Sequence, residues 1–169
     1  QGKYFMVSAS KSVHFFDSQT AEHVKTIKVP GGGGNFTCLK DGSKCYVGLR
    51  KANAVGVIDM AKLELMKTIE TGPDANRLYL NPGNNRYGLF ANESGKSDIV
   101  SIIDTQKDVK VKDIWTGLGP HNVAFDPDGK FAVISTKKEN VATLVDTGSA
   151  DPNDWDVITT DLDSGIQNN

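Results

Sequence analysis

Apolar residues recur along this chain in runs of four to six, alternating with polar positions and closed by Gly, Pro, Asn or Asp. No run keeps the i, i+3, i+4, i+7 spacing of an amphipathic helix for ten residues, whereas alternation and β-branched enrichment are the marks of strands. Four runs end on an aspartate: Ser12-Val-His-Phe-Phe-Asp17, Ala54-Val-Gly-Val-Ile-Asp59, Ile99-Val-Ser-Ile-Ile-Asp104 and Val141-Ala-Thr-Leu-Val-Asp146, with Asp spacings of 42, 45 and 42. Seven residues after the first three come Val24-Lys-Thr-Ile27, Met66-Lys-Thr-Ile69 and Val111-Lys-Asp-Ile114. A third track keeps the same phase. Asn35-Phe-Thr-Cys-Leu39, Asn76-Arg-Leu-Tyr-Leu80 and Asn122-Val-Ala-Phe-Asp126 each run into a turn, at Asp41-Gly42, Pro82-Gly83 and Asp128-Gly129. Asp-Gly suits a hairpin because both central residues tolerate positive φ.

Four short strands per 40–45 residues, repeated radially, is the arithmetic of a β-propeller blade, and a solenoid would need a shorter period. The sequence therefore predicts an all-β propeller of about four blades, each of four antiparallel strands. The predicted blades cover residues 2–29 (incomplete), 35–71, 75–116 and 121–160, with 161–169 starting the next. That gives fifteen strands, grouped three, four, four and four. Propellers of this repeat length commonly carry six to eight blades, so further blades are expected beyond these.

Gly119-Pro120-His121-Asn122-Val-Ala-Phe-Asp-Pro-Asp-Gly-Lys130, followed by Asn140-Val-Ala-Thr-Leu-Val-Asp-Thr147, resembles the YVTN-type β-propeller repeat of secreted and surface-layer proteins. It is similar also to the repeats of periplasmic propellers, among them the haem-d1 domain of nitrite reductase and quinoprotein amine dehydrogenase subunits. The likeness runs from Gly2 to about Thr160 and departs in three places. Gly31 to Gly34 stand where Gly-Pro-His precedes the Asn, Pro82-Gly83 replaces Asp-Gly, and Gly148 to Trp155 are an insertion before the last strand. The resemblance implies an extracytoplasmic setting, but propellers serve as scaffolds, binding platforms and enzymes alike.

Composition narrows the partners. Net charge is -2 over 169 residues, a poor match for a nucleic-acid backbone, and no apolar run approaches the ~18 residues of a membrane-spanning helix. Charge is uneven: residues 1–80 carry 11 Lys/Arg against 7 Asp/Glu, and residues 81–169 carry 8 against 14. Such a gradient could orient docking of a protein partner.

Candidate chemistry is sparse. Gly31 to Gly34 precede a strand rather than a helix, so a blade crossing explains them better than a phosphate cradle. If Leu39 opposes Lys44, then Cys38 opposes Cys45 across the hairpin, close enough either for a disulfide or for two buried thiols; an oxidised pair points outside the cytosol. Of the three histidines, His14 takes the position held elsewhere by Gly56, Ser101 and Thr143, and reads as a local packing choice. His121 enters the innermost strand of a blade. In the propellers this chain resembles, that loop lies at the mouth of the central channel, where His121 with Asn122 and Arg77 nearby could hold a cofactor. Asn35, Asn76 and Asn122 also serve as turn-formers. Asp17, Asp59, Asp104 and Asp146 recur in every unit and so read as turn caps, since an active site is used once. The acidic stretch from Asp151 to Asp163 lacks a twelve-residue calcium loop and its closing Glu, so no metal site is expected. Asn35-Phe-Thr37 and Asn92-Glu-Ser94 are glycosylation sequons, with Asn92 expected in a loop and the better acceptor.

Two functions fit this reading. The first is an extracytoplasmic propeller scaffold, without cofactor, that binds a protein partner or further blades. The alternative is the propeller portion of a periplasmic redox enzyme carrying haem or quinone; no Cys-x-x-Cys-His occurs, which excludes covalent c-type haem within this chain.

Overall fold

The computed structural model describes residues 2–163. It contains β1 (Tyr4–Ala9), β2 (Ser12–Asp17), β3 (His23–Lys28), β4 (Gly33–Cys38), β5 (Lys44–Leu49), β6 (Ala54–Asp59), β7 (Glu64–Glu70), β8 (Ala75–Leu80), β9 (Tyr87–Asn92), β10 (Ile99–Asp104), β11 (Val109–Trp115), β12 (Pro120–Phe125), β13 (Phe131–Thr136), β14 (Val141–Asp146) and β15 (Val157–Asp161). They form one three-stranded sheet, β1-β2-β3, and three four-stranded meanders, β4 to β7, β8 to β11 and β12 to β15. Every pairing whose register is seen is antiparallel. The grouping is three, four, four and four among the described residues. β15 includes Asp161, one residue beyond the expected blade edge; the expected start of a next blade lies, from residue 164 on, outside the described residues.

The repeated aspartates cap the turns they enter. Asp17 Oδ1 accepts from the backbone N–H of Gln19 at 2.8 Å and Thr20 at 3.0 Å. Asp59 does the same with Ala61 and Lys62, and Asp104 with Gln106 and Lys107. In the fourth blade Asp146 accepts from Gly148 alone, because the insertion takes the chain elsewhere. Just before three of these aspartates the outer pairing shifts by one residue, at Phe15/Phe16, Val57/Ile58 and Ile102/Ile103. A bulge repeated in one phase strengthens local twist.

The chain divides into two compact units, Gln1–Leu78 and Tyr79–Asn169. In the first, Val13, Phe15 and Ile27 of one blade and Cys45, Val47 and Ile58 of the next form one buried cluster. In the second, Leu89, Val100 and Ile102 cluster with Ala132, Ile134, Val145 and Trp155. Each cluster joins the face of one sheet to the face of the next, and β9 is buried at all six positions.

One expectation fails. Asn92 is not in a loop; it closes β9, is fully buried, and its Nδ2 donates to Ile99 O and Ser101 Oγ, both at 3.1 Å. A residue that follows an apolar run ordinarily opens a loop, but here the strand carries one residue further to reach the backbone of β10. Of the two sequons, the exposed Asn35 on β4 is the accessible one.

Candidate functional site

His121 and Asn122 occupy a bulge. On β12, Pro120 pairs with Thr136 and Val123 with Ile134, so three steps on one strand face two on the other. β4 has the same device between Gly33 and Phe36. Such a bulge re-aims side chains that would otherwise follow the pleat. The approach to β12 is set by Gly119, whose φ of 69° suits glycine; its N–H donates to Ser97 O at 2.7 Å and its carbonyl accepts from Lys137 N at 2.9 Å. The Tyr79 hydroxyl then lies 3.1 Å from both His121 O and Asn122 Oδ1 and donates to this pair.

Two charged side chains and an imidazole meet here. Glu93, in the β9–β10 loop, has a side chain only 5% exposed; its Oε2 lies 2.9 Å from Lys137 Nζ and 3.8 Å from His121 Nε2. Lys137 helps to offset the cost of burying this carboxylate. At 3.8 Å the imidazole feels the carboxylate's charge without a hydrogen bond, and its side chain stays 36% exposed. In the same β9–β10 segment, Asn92 Oδ1 and Ser97 Oγ are buried and lack a hydrogen-bond partner among the described residues. The loops that build this end therefore hold one imidazole, one neutralised carboxylate and lysine amines.

Tested against a haem or quinone, the side chains fit in one respect. His121 could supply one ligand nitrogen, but among the described residues no group of three or more His, Cys, Asp or Glu is disposed to hold a metal ion.

Arg77 does not belong to this cluster's unit. It lies on β8 within Gln1–Leu78, while His121 and Asn122 lie in Tyr79–Asn169. Asn35 Nδ2 donates to Asn76 Oδ1 at 3.3 Å, so these two of the three repeated asparagines bond each other. Cys38 and Cys45 are directly paired across the β4–β5 hairpin, with Cα atoms 3.9 Å apart, and are joined in a disulfide.

Tyr79, Glu93 and Lys137 escaped the sequence reading because none of them recurs with the blade period. A second feature was hinted at only by the insertion. Residues 148–155 fold over the end of the third blade, with Trp155 5% exposed and edge-on to Tyr87 at 5.8 Å. Asp151 caps a short 3-10 turn, Pro152–Asp154. The result is a cleft of about 440 Å3 lined by Arg86, Tyr87, Asp104, Lys107, Asp151 and Asn153, among others. Arg86 binds Asp104 Oδ2 at 3.2 Å and lies 4.7 Å over the Tyr87 ring. Burial pushes the Tyr87 phenol above its usual value.

No family model matches the chain. Similar solved structures do. Hydrazine synthase of Kuenenia stuttgartiensis is 26% identical with a TM-score of 0.73, over 97% of this chain and 44% of that one. Dihydro-heme d1 dehydrogenase NirN, solved in complex with DHE, is 16% identical with a TM-score of 0.74, over 94% of this chain and 36% of that one. The sheets are propeller blades. A protein of unknown function from Desulfotomaculum acetoxidans shares the fold at 14% identity and a TM-score of 0.70, over 87% of this chain and 47% of that one. Among curated proteins, Antigen Lp49 of Leptospira interrogans is 24% identical over 141 residues, 79% of this chain and 30% of that protein. The chain thus spans less than half the length of each of these relatives. No helix among the described residues is long and apolar enough to cross a membrane.

Proposed function

We propose that this chain is a scaffold portion of an extracytoplasmic β-propeller, of YVTN-repeat type, whose free blade face is covered by a further propeller blade. One observation carries the reading. In the third blade Leu89 pairs with Ile102, and both are fully buried in the cluster shared with the fourth. The matching pair in the fourth blade, Val133 opposite Leu144, is 45% exposed at both positions, and Ile158, opposite Leu144 on β15, is 65% exposed. Phe131 extends the same face at 53%. The fourth blade thus presents the face that the third uses for packing, with nothing on it among the described residues. Covering the exposed halves of four such side chains contributes about 1 kcal/mol each, and the natural occupant is a sheet presenting small and β-branched side chains as Ala132, Ile134 and Val145 do. The disulfide between Cys38 and Cys45 supports an oxidising compartment.

The rival reading is a haem- or quinone-bearing redox enzyme with His121 as ligand, favoured by the half-exposed imidazole in the β12 bulge. Visible absorbance of the natural protein purified from its source separates the two. The scaffold reading expects no Soret or quinone band in the protein. A band that disappears in His121→Ala, with folding unchanged by circular dichroism, overturns it in favour of the redox enzyme.

A further inference from the structure

The cleft of about 440 Å3 under the insertion has walls of opposite chemistry. Its third-blade wall carries Arg86 and Tyr87, where β9 begins, and Lys107, in the turn between β10 and β11. Asp104 lies on the same wall but is already engaged. Its Oδ1 accepts from the backbone N–H of Gln106 and Lys107, and its Oδ2 from Arg86 Nε and Nη2 at 3.3 and 3.2 Å. Arg86 Nη1 and Lys107 Nζ have no hydrogen-bond or ion-pair partner among the described residues. Tyr87 is only 5% exposed, yet its hydroxyl also has no hydrogen-bond partner among the described residues. A buried hydroxyl ordinarily has one. Burial pushes this phenol above its usual value, so at neutral pH it stays a donor. The other wall, from the insertion, holds an acceptor. Asp151 Oδ1 takes the N–H of Asn153 and its Nδ2 at 2.9 and 3.0 Å, and among the described residues Oδ2 has no partner. Donors and positive charge therefore share one cleft with a half-used carboxylate.

We propose that this cleft binds a small zwitterion, an α-amino acid with an apolar side chain, its carboxylate held by Tyr87, Lys107 and Arg86 and its ammonium by Asp151. Ligand pockets join an apolar lining to a few placed polar groups, and Val109, Val111 and Pro152 supply the apolar part here. Hydrogen bonds to ionised groups are the strong ones, and a ligand with both charges meets each wall with its opposite. A plain anion would meet Asp151, and a plain cation would meet Lys107 and Arg86. Contacts outside the cleft hold the walls in place. Trp155 lies edge-on to Tyr87 at 5.8 Å, its Nε1 donates to Ser149 O at 2.9 Å, and Lys112 Nζ reaches Asn153 O at 3.5 Å. Among the described blades only the fourth carries the insertion, so the cleft departs from the repeat, as a site used once does. Nor does it lie on a sheet face that another blade takes: Val133, Leu144 and Ile158 of the fourth sheet's uncovered face line none of it. The site therefore stands apart from the scaffold reading and holds whatever covers that face.

Calorimetric titration of the natural protein and its variants with L-leucine, N-acetyl-L-leucine and L-leucinamide tests this, since the second ligand lacks the ammonium and the third the carboxylate. The expected result is one leucine per chain, with each analogue weaker by about tenfold or more. Lys107→Met should weaken leucine by about tenfold and leave leucinamide unchanged. Asp151→Asn, which keeps an oxygen for the Asn153 N–H, should weaken leucine and leave N-acetyl-L-leucine unchanged. Tyr87→Phe keeps the ring against Trp155, and should weaken leucine and N-acetyl-L-leucine but not leucinamide. A role confined to holding the insertion in place would not sort the three ligands in this way. Circular dichroism of each variant guards against unfolding. No binding of leucine, an analogue bound as tightly as leucine, or variants that weaken all three ligands alike would each overturn the assignment.

Discussion

A single side chain, repeated, sets the corners of these blades. Asp17 and Asp59 each receive two backbone N–H groups within the next three residues, which satisfies donors that a tight turn would otherwise leave to water. The bond from Thr20 N–H, then that from Gln19, holds the Asp17 carboxyl below its usual value of 3.8; for Asp59 the Lys62 N–H leads. A lowered carboxylate pKa stabilises the fold above the unfolded value and loses that contribution as pH falls through the folded one. A proton NMR titration should therefore show both aspartates with midpoints below 3.8, and midpoints at or above it would contradict the turn assignment. These residues were legible because they recur. His121's neighbours were not, since Tyr79, Glu93 and Lys137 each occur once in the period and meet only through loops whose paths no periodicity encodes.

At the scale of elements, strands and sheets followed from spacing, and the exceptions lie where the chain breaks its own rhythm. The bulges came from no visible pattern, yet they decide that His121 and Asn122 leave the pleat of β12. The insertion before β15 was visible as extra length, but not its packing. Trp155 fills the end of the third blade against Tyr87, and its Nε1 donates to Ser149 O at 2.9 Å, so it anchors the insertion from both ends. Trp155→Ala should cost about 3–5 kcal/mol, as large aromatic truncations in cores do. That corresponds to a fall in Tm of about 6–20 °C for a chain of this size, to be read by thermal circular dichroism. A change under about 2 °C would mean that the insertion rides on the blade without supporting it. The Cys38–Cys45 pairing shows the intermediate case: the hairpin register could be counted from the sequence, whereas oxidation could not, because the same register serves two thiols.

For the whole molecule, the exposed residues say more than the buried ones. Blades two and three bury both faces of their middle strands, and the fourth leaves Phe131, Val133, Leu144 and Ile158 uncovered. A contiguous exposed apolar face of this kind marks an interaction surface, and here its positions match those that already pack one blade on another. The exposure of this face is the physical ground for the proposed further blade. Charge, composition and the lone His121 could not choose between a scaffold and a redox enzyme, because a cofactor site draws on loops outside the repeat. Carbene footprinting with mass spectrometry, applied to the natural protein and to this 169-residue chain side by side, tests the scaffold reading most directly. Val133, Leu144 and Ile158 should be labelled in the chain alone and protected in the natural protein. Equal labelling of all three in both would contradict the proposal that a further blade covers this face.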